Sequence, residues 1–217
     1  MGMLSPQDET TLKQHLSAIT KPVQLVLFTQ AFGGSESGQV AKQILNEIAA
    51  LNDQITIVDK NFVLDTQDKA KYQVDKAPAI VILSDDVDTR MRMYGAPTGY
   101  EFVGLVEAIL VAGTGKIDLE PETMAWIQAV TTPTHIQVFS TPTCPHCPRA
   151  VVLAHKMAAS NPLITADAIE ATEFMDLSRK YRVTGVPKTI VNETIEILGG
   201  LPEQDFVRAA LELPETL

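Results

Sequence analysis

The strongest constraint on the fold of this chain is that it repeats itself. Pro22-Val-Gln-Leu-Val-Leu-Phe28 aligns with Pro133-Thr-His-Ile-Gln-Val-Phe139 at an offset of 111, and the same offset pairs Val40–Leu45 with Val151–Lys156 without a gap. Further on, Ala70-Lys-Tyr72-Gln-Val74-Asp-Lys-Ala-Pro78 matches Arg179-Lys-Tyr181-Arg-Val183-Thr-Gly-Val-Pro187 at an offset of 109. Self-similarity at this scale means one supersecondary unit used twice. The units are expected at residues 1–117 and 118–217, joined through Ala112-Gly-Thr-Gly-Lys116, whose glycines suit a helix stop.

Hydrophobic periodicity gives each unit the order helix, strand, helix, strand, short helix, strand, strand, helix. The first unit reads as helix 7–19, strand 23–29, helix 36–51, strand 54–59, a turn at 66–72, strands 79–84 and 89–94, and helix 99–112. The second reads as helix 121–130, strand 135–140, helix 147–160, strand 163–169, a turn at 173–181, strands 188–192 and 194–198, and helix 203–212. Pro121 suits a first helical turn, where its missing N–H has no partner to lose. The β-α-β crossover demands a parallel pair, and the two late strands are close enough for a hairpin. The expected class is α/β, with a mixed sheet flanked by helices in each unit.

The two cysteines of the chain, Cys144 and Cys147, lie two residues apart between strand 135–140 and helix 147–160. Unpaired amides and the partial positive charge at a helix start stabilise a thiolate, so a C-x-x-C at this turn is placed for reactivity. The motif alone is also compatible with half of a metal site or with a structural disulfide. Zinc takes four ligands, and His15, His135 and His155 show no paired spacing that would supply them. A short loop at a helix start gains little chain entropy from a disulfide, which speaks against a purely structural staple. Gly33-Gly34-Ser35-Glu36 occupies the equivalent place in unit one, which therefore carries no thiol.

A strand, a C-x-x-C opening a helix and a Val-Pro before a later strand together resemble the thioredoxin fold. Two such units in tandem are similar to the protein disulfide oxidoreductase (tandem glutaredoxin-like) family. They are similar also to the N-terminal domain of the alkyl hydroperoxide reductase flavoprotein subunit. The motifs that carry the likeness are Thr143-Cys144-Pro145-His146-Cys147-Pro148, Gly185-Val186-Pro187 and, more weakly, Ala77-Pro78. The resemblance implies two tandem thioredoxin-like units, of which unit one has a degenerate site. It also implies a cis Val186–Pro187 bond that turns the Val186 backbone toward the sulfurs, where it would pair with an extended substrate. Ala77-Pro78 is expected to keep the same turn for its shape. Thioredoxin carries a buried Asp where this chain has Val138, so Glu170 and Asp167 are the candidate replacements on the neighbouring strand.

Within this frame Cys144 is the expected nucleophile and Cys147 the resolving thiol. Pro145 restricts the loop, and His146 adds a donor and, when protonated, a charge that lowers the Cys144 pKa. Arg149 and Lys188 flank the site, while His155 and Trp126 read as packing residues. The expected function is thiol–disulfide exchange with no bound cofactor beyond the Cys144/Cys147 couple. Electrons would pass from a separate NAD(P)H-linked flavin reductase to protein disulfides such as a peroxiredoxin. The alternatives are a non-catalytic tandem-fold adaptor and a metal or iron–sulfur module. A net charge of −10 and a pI near 4.8 argue against nucleic acid or an anionic membrane as partner. No run has the length of a membrane span, and the first residues lack a basic start followed by an apolar stretch, so the cytoplasm is the expected compartment.

Overall fold

A computed structural model describes residues 3–30 and 36–214. Unit one contains α1 (Pro6–Leu16), β1 (Val23–Thr29), α2 (Glu36–Ala49), β2 (Ile55–Asn61), α3 (Thr66–Lys71), β3 (Ala79–Ser84), β4 (Val87–Tyr94) and α4 (Glu101–Thr114). Unit two repeats the order with α5 (Pro121–Gln128), β5 (Thr134–Ser140), α6 (Cys147–Ser160), β6 (Ile164–Glu170), α7 (Met175–Lys180), β7 (Lys188–Val191), β8 (Ile195–Leu198) and α8 (Glu203–Ala210). The two expected turns each contain a short helix, α3 and α7. The glycine linker differs from expectation. α4 runs on through Gly113 and stops at Gly115, a C-cap with φ +66°. Gly113 stays helical because the chain packs against it, and a Cβ there would lie 2.7 Å from Ile19 Cγ2.

All eight strands form one mixed sheet in the order β2-β1-β3-β4-β6-β5-β7-β8. Within each unit the first two strands are parallel and the last two antiparallel, as the crossover and hairpin require. The sequence does not announce the seam. β4 pairs in parallel with β6, matching Met91 to Ala166, Arg92 to Asp167, Met93 to Ala168 and Tyr94 to Ile169. The two half-sheets are thus one surface, with helices on both faces.

Period-2 alternation sorts the core. Leu25, Leu27, Met93, Val138 and Ala168 join the cluster under α2, α4, α6 and α8, while Val26, Phe28, Tyr94, Phe139 and Ile169 join Tyr72 and Tyr181 on the other face. β3 is buried along Ala79–Leu83, the continuous apolar run expected of a strand covered on both sides. α4 and α6 pack across the seam, and Gly104 makes that approach possible, since a Cβ there would sit 3.0 Å from Val151 Cγ1. Gly99, at φ +53°, leads into α4 hard against Pro142, and the Tyr100 amide donates to the Pro142 carbonyl at 2.9 Å. The helix start of one unit is thereby fastened to the loop that carries the cysteines of the other.

Candidate active site

β5 delivers the chain to the upper rim of the sheet at Ser140, and a turn carries it through Cys144 to α6. The Cys144 amide donates to the Thr141 carbonyl at 3.1 Å and the Cys147 amide to the Cys144 carbonyl at 3.4 Å. Cys144 and Cys147 form a disulfide with their Cα atoms 5.5 Å apart. Cys147 is the first residue of α6 and Cys144 lies three residues ahead of it, so the helix opens at the second sulfur rather than the first. Cys144 is 7% exposed and Cys147 1%, which leaves the first sulfur as the accessible one. Pro145 and His146 are exposed, and the His146 side chain caps no helix amide.

Both Val186–Pro187 and Ala77–Pro78 are cis. The Val186 carbonyl oxygen lies 3.7 Å from Cys144 Sγ, which puts a main-chain edge beside the more accessible sulfur. The Gly199 amide donates to the Pro187 carbonyl and the Gly95 amide to the Pro78 carbonyl, so both proline turns are held in the same way. In unit one, Glu36 opens α2, while Gly33, Gly34 and Ser35 lie outside the described residues. Lys188 is buried and occupied, donating to the Tyr181 carbonyl at 2.7 Å and pairing with Glu196 at 2.8 Å. It is therefore a strut of the proline loop, whereas Arg149 is exposed. His155 is buried on α6 and hydrogen-bonds the Arg92 carbonyl, and burial drives its pKa down to about 4. Trp126 packs on α5 with the Arg208 guanidinium over its ring.

The two carboxylates expected to assist proton transfer are engaged elsewhere. Asp167 points to the opposite face of the sheet from α6 and sits 2.7 Å from His135 Nε2. Glu170 lies on the α6 face, but its oxygens accept from the Thr172 hydroxyl and from the Thr172 and Glu173 amides. A third acid, from unit one, is buried against the end of the strand that leads into the cysteine turn. Glu101, in the first turn of α4, is 6% exposed, and Ser140 Oγ donates to its Oε1 at 2.5 Å. Its Oε2 is buried without a partner. Burial pushes its pKa up to about 8; the Ser140 hydroxyl works against that rise, and Glu170 and Glu173 add to it.

The packing of α4 on α6 shows where this carboxyl points. β4, β6 and β5 run parallel, so α4 and α6 leave the same rim and descend the same face. Gly104 meets Val151, and one turn back from each, on the same helix face, stand Glu101 and Cys147. Glu101 and Cys147 therefore stand in the first turns of two packed helices at the same rim, both buried. The sequence signal for Glu101 is faint: a single acid heading an otherwise apolar helix. Gly200 also carries no motif that sequence reasoning would single out. A Cβ on it would lie 2.9 Å from the His146 carbonyl oxygen, so it lets the chain after β8 pack against the cysteine loop.

A dithiol–disulfide pair at a strand-to-helix turn, faced by a cis-proline and set in this sheet, is a thioredoxin-type site. The Thioredoxin domain family matches residues 134–212. The chain is a thioredoxin-fold protein. Among solved structures, the protein disulfide oxidoreductase from Aeropyrum pernix k1 superposes with a TM-score of 0.87 at 26% identity, covering 95% of this chain and 92% of that one. The NTD_N/C domain of alkylhydroperoxide reductase AhpF from Enterococcus faecalis gives 0.89 over 95% and 99%, at 24% identity, a likeness of fold. The F subunit of the Escherichia coli alkyl hydroperoxide reductase is 28% identical over 190 residues, 88% of this chain and 34% of that protein. This thioredoxin-fold chain thus spans about a third of the length of the curated relatives it matches.

Proposed function

We propose that the chain is a cytoplasmic thiol–disulfide oxidoreductase that relays electrons through Cys144 and Cys147 from an NAD(P)H-linked flavin reductase to a protein disulfide, with a peroxiredoxin as the leading acceptor. The observation that carries the reading is the Cys144–Cys147 disulfide with the Val186 carbonyl 3.7 Å from the first sulfur. The similarity to the F subunit of alkyl hydroperoxide reductase supports the choice of donor and acceptor. Among the described residues no group of three or more His, Cys, Asp or Glu side chains converges as a metal site would, and no helix is long and apolar enough to cross a membrane.

In the reduced state the Cys144 thiolate attacks a substrate disulfide, forming a mixed disulfide and releasing one substrate thiolate. The Cys147 thiol then gives its proton to Glu101 Oε2 and attacks the Cys144 sulfur. This closes the internal disulfide and releases the second substrate thiolate. Two electrons pass to the substrate, and Glu101 keeps the proton. A carboxyl with its pKa near 8 is neutral at pH 7, the state it should have once the disulfide has closed. When the reductase reopens the disulfide, Glu101 returns that proton to the buried Cys147 sulfur. Unit one thus contributes the acid–base group, although its own site has no sulfur.

Insulin reduction coupled to dithiothreitol tests this reading. The wild-type chain should accelerate the reaction above background and Cys144→Ser should not; equal rates for the two overturn it.

A further inference from the structure

We infer that Ser140 is a positioning residue for proton transfer at the second sulfur, holding the Glu101 carboxyl across the seam so that one oxygen stays free for Cys147. The inference rests on the role given to Glu101 above. Ser140 is the last residue of β5, 2% exposed, and its side chain points to the α4/α6 face together with Val138. Its hydroxyl donates to Glu101 Oε1 with the two oxygens 2.5 Å apart, and no other hydrogen bond to that carboxyl is present among the described residues. With Oε1 fixed, the carboxyl cannot rotate freely, and Oε2 is the oxygen left for the proton.

The charged groups facing this carboxyl are all acids. Glu170 stands directly across the β5–β6 ladder from Ser140, and Glu173 follows it in the next turn, its Oε1 accepting from the Ala96 amide. Burial and both neighbours favour the protonated acid, and the Ser140 bond is the interaction that opposes them. Without it, Glu101 would stay protonated further above neutral pH, leaving less carboxylate to receive the proton of Cys147. The hydroxyl thus keeps the acid within reach of the pH at which the exchange runs. A hydrogen bond to a charged group has the size to do this, displacing a titration by about one pH unit or more.

The experiment follows the carboxyl 13C signal of Glu101 against pH in the oxidised protein, together with the pH–rate profile of insulin reduction, for wild type, Ser140→Ala, Ser140→Thr and Glu101→Gln. Ser140→Ala should move both the titration and the rate limb about one unit alkaline, and Ser140→Thr, which restores the hydroxyl, should move them back. A merely structural serine would change the unfolding midpoint without shifting either curve. If Glu101→Gln removes the limb while Ser140→Ala leaves it in place, the positioning role fails and Glu101 stands. If Glu101→Gln leaves the limb untouched, the Glu101 reading fails first, and the inference with it.

Discussion

Replacing Glu101 with Gln should make the oxidised protein more stable than wild type at alkaline pH, by an amount the structure sets. The Glu101 pKa rises from the ordinary 4.5 to about 8 on folding, chiefly through burial. The folded state therefore holds a proton that the unfolded chain has lost between those two values. The neutral acid's contribution to stability is complete below pH 4.5 and is lost as pH rises through 8. At about 1.4 kcal/mol per unit, the wild-type chain should lose roughly 4 kcal/mol from this group between about pH 5 and pH 9. Gln never ionises and keeps the Oε1 that accepts from Ser140, so the variant escapes the loss. Both proteins share every other titration, which cancels in the comparison. Urea denaturation at about pH 5, 7 and 9 reads the gap, which should widen by roughly 1 to 2 M in midpoint. With both cysteines in the disulfide there is no free thiol to scramble it at high pH. A gap that stays constant across the three pH values would refute the claim that this carboxyl is buried as a neutral acid.

Further outcomes follow from the same geometry. Cys147→Ser should trap a stable mixed disulfide between Cys144 and a substrate thiol, visible by mass spectrometry, and Cys144→Ser should trap none. His155, with its pKa lowered to about 4 by burial, should contribute stability above its unfolded value of 6.5 and lose it as pH falls through 4. Relative to His155→Leu, the wild-type protein should therefore weaken by roughly 3 kcal/mol between about pH 7 and pH 4, measured by urea denaturation. Gly200→Ala would bring a Cβ to 2.9 Å from the His146 backbone oxygen, so the cysteine loop must shift. Insulin reduction should fall by roughly 5- to 150-fold, in line with roughly 1 to 3 kcal/mol of overpacking strain, and unchanged activity would show that the loop tolerates displacement.

What the sequence reveals is whatever depends on local pattern. α6 begins at Cys147 and ends at Ser160, as the breaker-free run after the motif indicates, and β1 and β3 coincide with their apolar stretches. The cysteines and the Val186-Pro187 turn are legible because each is a short motif at a fixed place in a repeated unit. Glu101 is not, and its repeat partner shows why. The alignment that pairs Phe102 with Phe206 pairs Glu101 with Asp205, an ordinary first-turn acid in each helix. Asp205 is exposed on α8, whereas Glu101 is buried, because α4 lies against α6 at the seam. The two acids look equivalent in sequence and differ only through a parallel pairing of β4 with β6, which no local periodicity encodes. Glu170 attracts notice as an acid on the strand next to the one that enters the site, yet its oxygens bond to the turn that follows it.

The continuous sheet also limits how this chain can be divided. As joined, its free margins are β2 and the four-residue β8, while β4 and β6 satisfy each other's backbone groups. Severing the linker and separating the units would uncover both inner strands, each bounded by apolar residues such as Met91, Met93, Ala166 and Ala168. Unpaired strands of this kind recruit other chains, so each half alone would tend toward association with further copies. Unit one can give up its sulfurs, but it cannot be discarded without exposing the edge it protects.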